Sequence, residues 1–294
     1  AGTSNFTCNA VIGQISAGNS AANTLFHEGG HAAHLLNMEM PDICMNIEYP
    51  PASTAWDETQ SMFLDTLYSS IEWRTRYAKN QLGQAYPFDL YKRKVEKTHM
   101  VAPLGMNSIL AVTGFEKEIY EMKNLTEEKV IATAKKVFKK YFDRSEDTLW
   151  ILDVPHIYSW ESSCSYHGYG LATLALTQWR KYFFDKYGYI VDNKNVGKEM
   201  AKVWKLGASK TFTELVKIAT GKKITATAYL QGATASKTKL FSTAKKRIDR
   251  LSKVKEYTGP VNLNASIKMV HGKEVVADNK KSFEDMDTKY RAWL

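Results

Sequence analysis

Two segments decide the fold of this chain: residues 24–34 read TLFHEGGHAAH, and residues 55–65 read AWDETQSMFLD. In both segments apolar residues recur at the three- and four-residue spacing of one helix face. This spacing predicts a helix over about 19–38 and a second helix over about 53–80, with a Pro-containing loop between them. We therefore expect two consecutive helices to carry the polar residues of these segments.

The first segment has the spacing of a metal site. His27 and His31 are one helical turn apart, so both side chains point the same way. Two imidazoles at this spacing can bind one zinc ion, and Glu28 beside them can accept a proton from the attacking water. Gly29 and Gly30 each cost a helix about 1 kcal/mol relative to Ala. Small residues here therefore indicate close approach by a substrate or by another backbone.

Zinc in a hydrolase usually has three protein ligands and one water. His34 lies on a neighbouring face of the predicted helix. The HExxHxxGxxH pattern needs a histidine at position 37, where this chain has Asn37. The metzincin pattern is therefore excluded, and the third ligand should be a glutamate on another helix. The downstream candidates are Glu39, Glu48, Glu58 and Glu72.

Glu58 is the best of these candidates. Glu39 follows too closely on the same helix, and Glu48 lies in the Pro-flanked loop. Glu58 sits in the first turns of the second helix, with Ser61 and Asp65 on the same stripe. Hydroxyl and carboxylate neighbours are what a metal ligand needs for its orientation. The sequence therefore predicts Glu58 as the third ligand.

A second candidate for chemistry is the stretch 155–170, PHIYSWESSCSYHGYG. It combines histidines, tyrosines and glycines between a strand candidate, TLWILD, and a predicted helix over 169–187. Attack on a peptide carbonyl puts negative charge on its oxygen, and Tyr O–H and His N–H groups can stabilise that charge. Cys164 has no His/Asn arrangement around it that would indicate a cysteine hydrolase.

These motifs resemble the zinc oligopeptidases of the thimet oligopeptidase and oligoendopeptidase F family, whose pattern is HExGHxxH, then a downstream Glu followed by xxS. Gly29 departs from the bulky aromatic residue usual in the family, and Asp65 stands where the family often has a Glu close to the ligands. The resemblance covers about residues 7–232. The matching residues are His27, Glu28, Gly30, His31, His34, Glu58 and Ser61.

The resemblance also implies roles in the aromatic stretch. The family has a His followed by a Gly- and Tyr-rich loop with two tyrosines three apart, and His156, Tyr166 and Tyr169 match these places. By this resemblance the three residues help to stabilise the oxyanion. The family further implies one Zn²⁺ ion, short peptide substrates and endopeptidase-like cleavage. Its members also have an N-terminal helical lobe, which we expect to be missing from this chain.

Composition and charge fit an ordinary globular protein. With 44% apolar and 24% charged residues, disorder and a disulfide scaffold are excluded. The net charge is +9, but the basic runs at 135–140 and 244–250 lie in helical patterns, so we expect solvated helix faces and no nucleic-acid partner. No window of about 18 apolar residues exists, so we expect no membrane span. Three separated cysteines without a CxxC pair favour a reducing compartment, the cytoplasm.

The rest of the chain is mostly helical in pattern. Strands are expected over 5–16, in TLWILD, and in a hairpin over 266–278 with His271-Gly272 as its turn. The fold class is therefore mainly α: a helical zinc-peptidase catalytic domain with a few short strands, formed as one domain by residues 1–294. Further helices are predicted over 88–98, 105–122, 126–142, 195–205, 209–219 and 235–254.

Two other interpretations stay open. DETQS also resembles the HESQS element of Taq-type zinc metallocarboxypeptidases, although the SYHGYG loop favours the oligopeptidase. The chain could instead be a non-catalytic peptide-binding module whose zinc is structural, with four protein ligands and no open position.

Overall fold

A computed structural model describes residues 3–11, 13–46, 53–143, 149–160, 162–260 and 263–294. Helices dominate these residues, which confirms the predicted mainly α class. No helix in this described part of the chain is both long and apolar enough to cross a membrane. The α-helices are α1 (Ala17–Leu36), α2 (Thr54–Tyr68), α3 (Ile71–Tyr77), α4 (Phe88–Thr98), α5 (Leu104–Glu121), α6 (Glu127–Phe142), α7 (His167–Tyr187), α8 (Lys194–Trp204), α9 (Phe212–Thr220), α10 (Thr227–Ala233), α11 (Lys237–Ser252) and α12 (Phe283–Trp293).

The second predicted helix is two helices in the structure. α2 ends at Tyr68, and α3 begins at Ile71. The side chain of Ser70 accepts a hydrogen bond from the backbone N–H of Trp73 at 3.2 Å and so caps α3. This cap starts a new helix within the stretch 53–80 that the apolar spacing predicted as one.

Two of the predicted strands are wrong. The described residues of segment 5–16 form no strand, and α1 begins directly after Ser16, whose φ of 72° is left-handed. Residues Trp150–Asp153 form a 3-10 helix where TLWILD predicted a strand. Without a neighbouring strand to pair with, a short β-branched segment does not gain the ladder hydrogen bonds that stabilise a strand.

The hairpin is confirmed, with a different turn. β1 (Lys268–His271) pairs antiparallel with β2 (Glu274–Asp278), and His271 lies opposite Glu274. The turn therefore consists of Gly272 and Lys273. Gly272 has a φ of 59°, a conformation that glycine adopts without steric cost.

The chain divides into two compact units, Ala1–Lys253 and Val254–Leu294. In the second unit α12, which the sequence pattern did not predict, packs against β2 and is capped by Ser282, whose hydroxyl accepts from the backbone N–H of Asp285 at 3.1 Å. The single domain expected over 1–294 stays a prediction.

In the first unit α2 packs against both α1 and α7. Trp56 and Phe63 from α2 contact Trp179 from α7, with ring centroids 5.7 and 5.8 Å apart, and Phe183 extends the cluster. All four rings are buried. Because large aromatic side chains contribute most of the buried area in such a core, this cluster fixes the position of α2.

A second apolar cluster joins α5, α6 and the 3-10 segments that follow them. Its buried members include Phe115 from α5 and Phe138 from α6, together with Ile151 and Ile157 from the 3-10 segments Trp150–Asp153 and Pro155–Tyr158. This cluster supports the segment that leads into the aromatic stretch 155–170.

α1 and α2 meet backbone to backbone at Gly30. A Cβ at this position would lie 2.6 Å from Ser61 Cα and 2.8 Å from the carbonyl oxygen of Gln60. At Gly29 a Cβ would meet no atom within 4 Å. The expectation of close approach therefore applies to Gly30, where only glycine lets the two helices come so near.

Gly30→Ala should destabilise the fold by about 1–3 kcal/mol, because the added methyl forces two packed backbones apart. Gly29→Ala is the matched control and should raise stability by up to about 1 kcal/mol through helix propensity. The measurement is denaturant unfolding of both variants in a chelator, which keeps metal binding from contributing. Equal stability of the two variants would contradict the packing argument.

Candidate metal centre

α1 and α2 together form a group of three possible metal ligands. His27 and His31 lie one turn apart on α1, with ring centroids 5.1 Å apart, and Glu58 faces them from α2. The ligand atoms of the three side chains all lie within 4.8 Å of one another. The structure thus brings together the three residues that the sequence predicted as ligands.

One carboxylate oxygen faces both imidazoles. Glu58 Oε2 lies 3.5 Å from His27 Nε2 and 3.8 Å from His31 Nε2. Two ligands of a tetrahedral zinc ion, each at about 2.0–2.1 Å from the metal, are about 3.3–3.4 Å apart. Two imidazole nitrogens and one carboxylate oxygen are also a donor set found in catalytic zinc sites. By distance and by chemistry, the three residues fit zinc.

A second set of side chains holds the ligands in place. Asp65 Oδ2 lies 2.9 Å from His27 Nδ1, and Asn23 donates to the other oxygen of Asp65 at 3.0 Å. The hydroxyl of Ser61 donates to Glu58 Oε2 at 3.0 Å. Such contacts fix ring and carboxylate orientation. Asn23 was missed in the sequence, although it lies four residues before His27 and so on the same face of α1.

The protonation of His27 reflects these contacts. Burial lowers the pKa of the imidazole, but the hydrogen bond and the charge of Asp65, with the charge of Glu58, outweigh burial, so the pKa is raised overall. The carboxylate that orients His27 therefore also makes this ring a stronger base. A more basic nitrogen is a better metal ligand.

His34, Glu39 and Glu72, which were also considered as ligands, lie apart from this group. His34 is buried between Trp56 and Trp204, with ring centroids 6.3 and 6.2 Å away. Glu39 forms an exposed ion pair with Lys205 at 2.7 Å. Glu48 lies outside the described residues.

Glu72 also lies away from the candidate ligands and pairs with Arg180. It is buried on α3, with Oε1 4.0 Å from Nη2 of Arg180. Burial lowers the pKa of Arg180 to about 10, and the charge of Glu72 partly offsets this effect. Glu72 therefore partly neutralises a largely buried cation on α7.

The aromatic stretch brings three further side chains together. His156 Nε2 lies 3.1 Å from the hydroxyl of Tyr169, and the ring of Tyr166 packs edge-on against both residues at 5.3 and 5.2 Å. His156 Nδ1 is buried and has no hydrogen-bond partner among the described residues. The tautomer with a proton on Nε2 therefore avoids a buried donor without an acceptor, and its N–H donates to Tyr169.

Tyr169 connects this cluster with the candidate metal ligands. Burial raises the pKa of Tyr169 far above its ordinary value, and the charge of Glu58 and a hydrogen bond to that carboxylate act in the same direction. The charges of Tyr166 and Glu28 add smaller effects. The phenol of Tyr169 thus remains a neutral hydrogen-bond donor beside Glu58 and Glu28.

Residues 17–235 match the model of peptidase family M3. This match covers most of the chain, so the chain belongs to peptidase family M3, and the family predicted from the motifs is confirmed. No curated protein matches the chain in sequence.

Two solved structures have a similar fold. The crystal structure of BsuCP matches with a TM-score of 0.56 and 16% identity over 76% of this chain and 48% of its own. Metallocarboxypeptidase 1 of Trypanosoma cruzi matches with a TM-score of 0.54 and 15% identity over 74% of this chain and 48% of its own. This chain thus spans about half the length of these proteins, and at this identity the likeness concerns the fold alone.

Asp65→Ala should weaken zinc binding by about 10–100-fold, because His27 loses the partner that orients its ring. Asp185→Ala, which removes an exposed carboxylate paired with Lys181 on α7, is the matched control and should leave affinity unchanged. Competition titration against a chromogenic chelator measures both affinities. Full zinc affinity in Asp65→Ala would mean that the ligands keep their geometry without this contact.

Proposed function

We propose that this chain is the catalytic half of a zinc-dependent peptidase that cleaves short peptides, in an endopeptidase-like manner. The observation that carries the proposal is the convergence of His27, His31 and Glu58 within 4.8 Å, with Glu28 next to the first ligand, in a chain of peptidase family M3. A metallopeptidase of this family acts on peptides with a metal cofactor, typically zinc.

His27, His31 and Glu58 would hold one zinc ion. Bound there, zinc polarises the scissile carbonyl and makes water more acidic. Asp65 and Ser61 keep the ligands oriented, as their hydrogen bonds to His27 and Glu58 indicate. Three protein ligands, among the residues that the structure describes, leave a position open for water and substrate, which favours a catalytic over a structural zinc site.

Glu28 would serve as the general base. Two observations support this role: Glu28 directly follows His27 in the sequence, and its charge acts on Tyr169. Glu28 accepts the proton of the attacking water and passes it to the leaving amine.

The negative charge that develops on the carbonyl oxygen would be stabilised by His156, Tyr166 and Tyr169. Tyr169 donates a hydrogen bond from its hydroxyl to the carbonyl oxygen as negative charge develops, and keeps its proton. His156 donates from Nε2 to the oxygen of Tyr169 at 3.1 Å, which turns the hydroxyl proton away from His156. In this structure the hydroxyl is hydrogen-bonded to the Glu58 carboxylate, and the carbonyl oxygen of the substrate would take the place of that acceptor. Tyr166 packs against both and limits their motion.

A carboxypeptidase is the second candidate, since one structure with a similar fold is named a metallocarboxypeptidase. Peptides with an amidated C-terminus separate the two activities. An endopeptidase cleaves amidated and free peptides of one sequence at similar rates, whereas a carboxypeptidase requires the free carboxylate.

The cytoplasm remains the proposed compartment, because Cys8, Cys44 and Cys164 are free thiols.

Glu28→Gln should retain zinc and lose nearly all turnover, because the amide keeps the shape of the side chain and cannot accept the proton. Zinc content by elemental analysis and cleavage of a quenched fluorescent peptide are measured on the same sample. Substantial turnover by the zinc-loaded variant would show that another group acts as the base.

Glu58→Ala should lose zinc affinity, since it removes one of three ligands. Glu39→Ala is the matched control, because Glu39 pairs with Lys205 at the surface, and it should bind zinc like the parent. Zinc titration compares the two variants, and parent-like affinity in Glu58→Ala would place the third ligand elsewhere.

Tyr169→Phe should lower kcat by about 10²–10³ with little change in KM or zinc content, because the hydroxyl acts only as charge develops. Tyr120→Phe, at an exposed position of α5, is the control. Steady-state kinetics on the quenched peptide give both constants. If Tyr169→Phe turns over at the parent rate, this tyrosine contributes packing only.

A further inference from the structure

Glu116 is a buried carboxylate that the proposed mechanism does not use. It lies on α5 with 2% of its surface exposed. Its Oε1 accepts a hydrogen bond from the backbone N–H of Cys164 at 2.8 Å, and the backbone N–H of Tyr166 also donates to it. Burial raises the pKa of Glu116, and these two donors oppose that effect. Burying a carboxylate costs free energy. The bonds from Cys164 and Tyr166 offset part of that cost, so binding this loop is the interaction that the buried position of Glu116 serves.

The loop that donates these bonds also has hydrogen bonds within itself. Among its described residues, Ser163 N–H donates to the carbonyl of Ser159, and the hydroxyl of Ser165 donates to the carbonyl of Ser162. Cys164 has a φ of 60°, in the left-handed region. A non-glycine residue keeps this conformation where its surroundings impose it. The bond from its own N–H to α5 is such a constraint.

The position of this loop sets the position of the tyrosines. α7 begins at His167, directly after the loop, and its first turn is pressed against the first turn of α2. A Cβ on Gly168 would lie 3.0 Å from Thr54 Cβ and 3.1 Å from the backbone nitrogen of Ala55. Glu58 follows about one turn later on α2. A shift of the loop therefore moves the start of α7 relative to the helix that carries the third ligand.

We propose that Glu116 is a positioning residue: its carboxylate anchors the N–H groups of Cys164 and Tyr166 to α5 and so holds Tyr166 and Tyr169 against the metal centre. This inference rests on the proposed function, because it concerns the same oxyanion site. Glu116 does not touch the substrate and acts through the loop.

Three variants test the anchor. Glu116→Met keeps the length of the side chain and removes both acceptor oxygens. Glu116→Gln keeps one acceptor oxygen. Glu121→Gln changes an exposed glutamate on the same helix and is the control. On each zinc-loaded protein we would measure amide hydrogen exchange over residues 162–166, zinc content, kcat and KM.

In Glu116→Met, exchange at the amides of Cys164 and Tyr166 should be about tenfold faster or more, as expected for the loss of a buried hydrogen bond. The value of kcat per bound zinc should fall about 100-fold, with KM and zinc content unchanged, because a small displacement of a catalytic group has this effect. Glu116→Gln should lie between Glu116→Met and the parent, and Glu121→Gln should match the parent.

A general folding defect would instead lower zinc content and leave kcat per bound zinc unchanged. That result, or parent-like exchange at both amides in Glu116→Met, overturns the proposal. If the parent protein cleaves no peptide, the proposed function fails, and the exchange measurement alone decides whether Glu116 anchors the loop.

Discussion

Where Gly30 of α1 meets Ser61 of α2, two helix backbones touch with no side chain between them. His27, His31 and Glu58 all lie within one turn of this contact. The distances of 3.5 and 3.8 Å from Glu58 to the two imidazoles depend on it. Zinc–ligand bonds vary little from about 2.0–2.2 Å. If a methyl group at position 30 pushed α1 and α2 further apart, the two helices could not supply all three ligands to one ion.

The candidate site therefore has two supports that are built separately. The ligand side consists of α1 and α2, and the aromatic core around Trp179 holds α2 from behind. The side proposed to stabilise the oxyanion consists of the start of α7 and the loop before it, which rest on α5 and the apolar cluster that α5 forms with α6. The two sides meet at Tyr169. Its hydroxyl lies 3.1 Å from His156 Nε2, and the carboxylate of Glu58 raises its pKa.

The features that could be predicted from the sequence are those set by helix periodicity. The spacing of His27 and His31 and the stripe of Glu58, Ser61 and Asp65 need only 3.6 residues per turn, and the structure brings all five side chains into one group. The same rule would have found Asn23. The mainly α class and most helix positions follow from the same periodicity.

Features that depend on tertiary contacts could not be predicted. The break between α2 and α3 is caused by the side chain of Ser70, which caps α3, although the apolar pattern continues through this position. The N-terminal segment alternates like a strand but has no partner strand in the described part of the chain. The proposed positioning role of Glu116 could not be predicted from the sequence, because its hydrogen-bond partners are backbone N–H groups far along the chain.

The distribution of the ligands over two helices has a consequence for the chain as a polymer. The ligands bracket residues 32–57, so an ion bound to His27, His31 and Glu58 closes that whole segment into a ring. A cross-link of this kind removes conformations from the unfolded ensemble, as a disulfide does, in a chain whose three cysteines are all free. Metal occupancy and folding would thereby be coupled. Zinc would leave most readily from molecules in which α1 and α2 have already separated, and its release would make their reassociation slower.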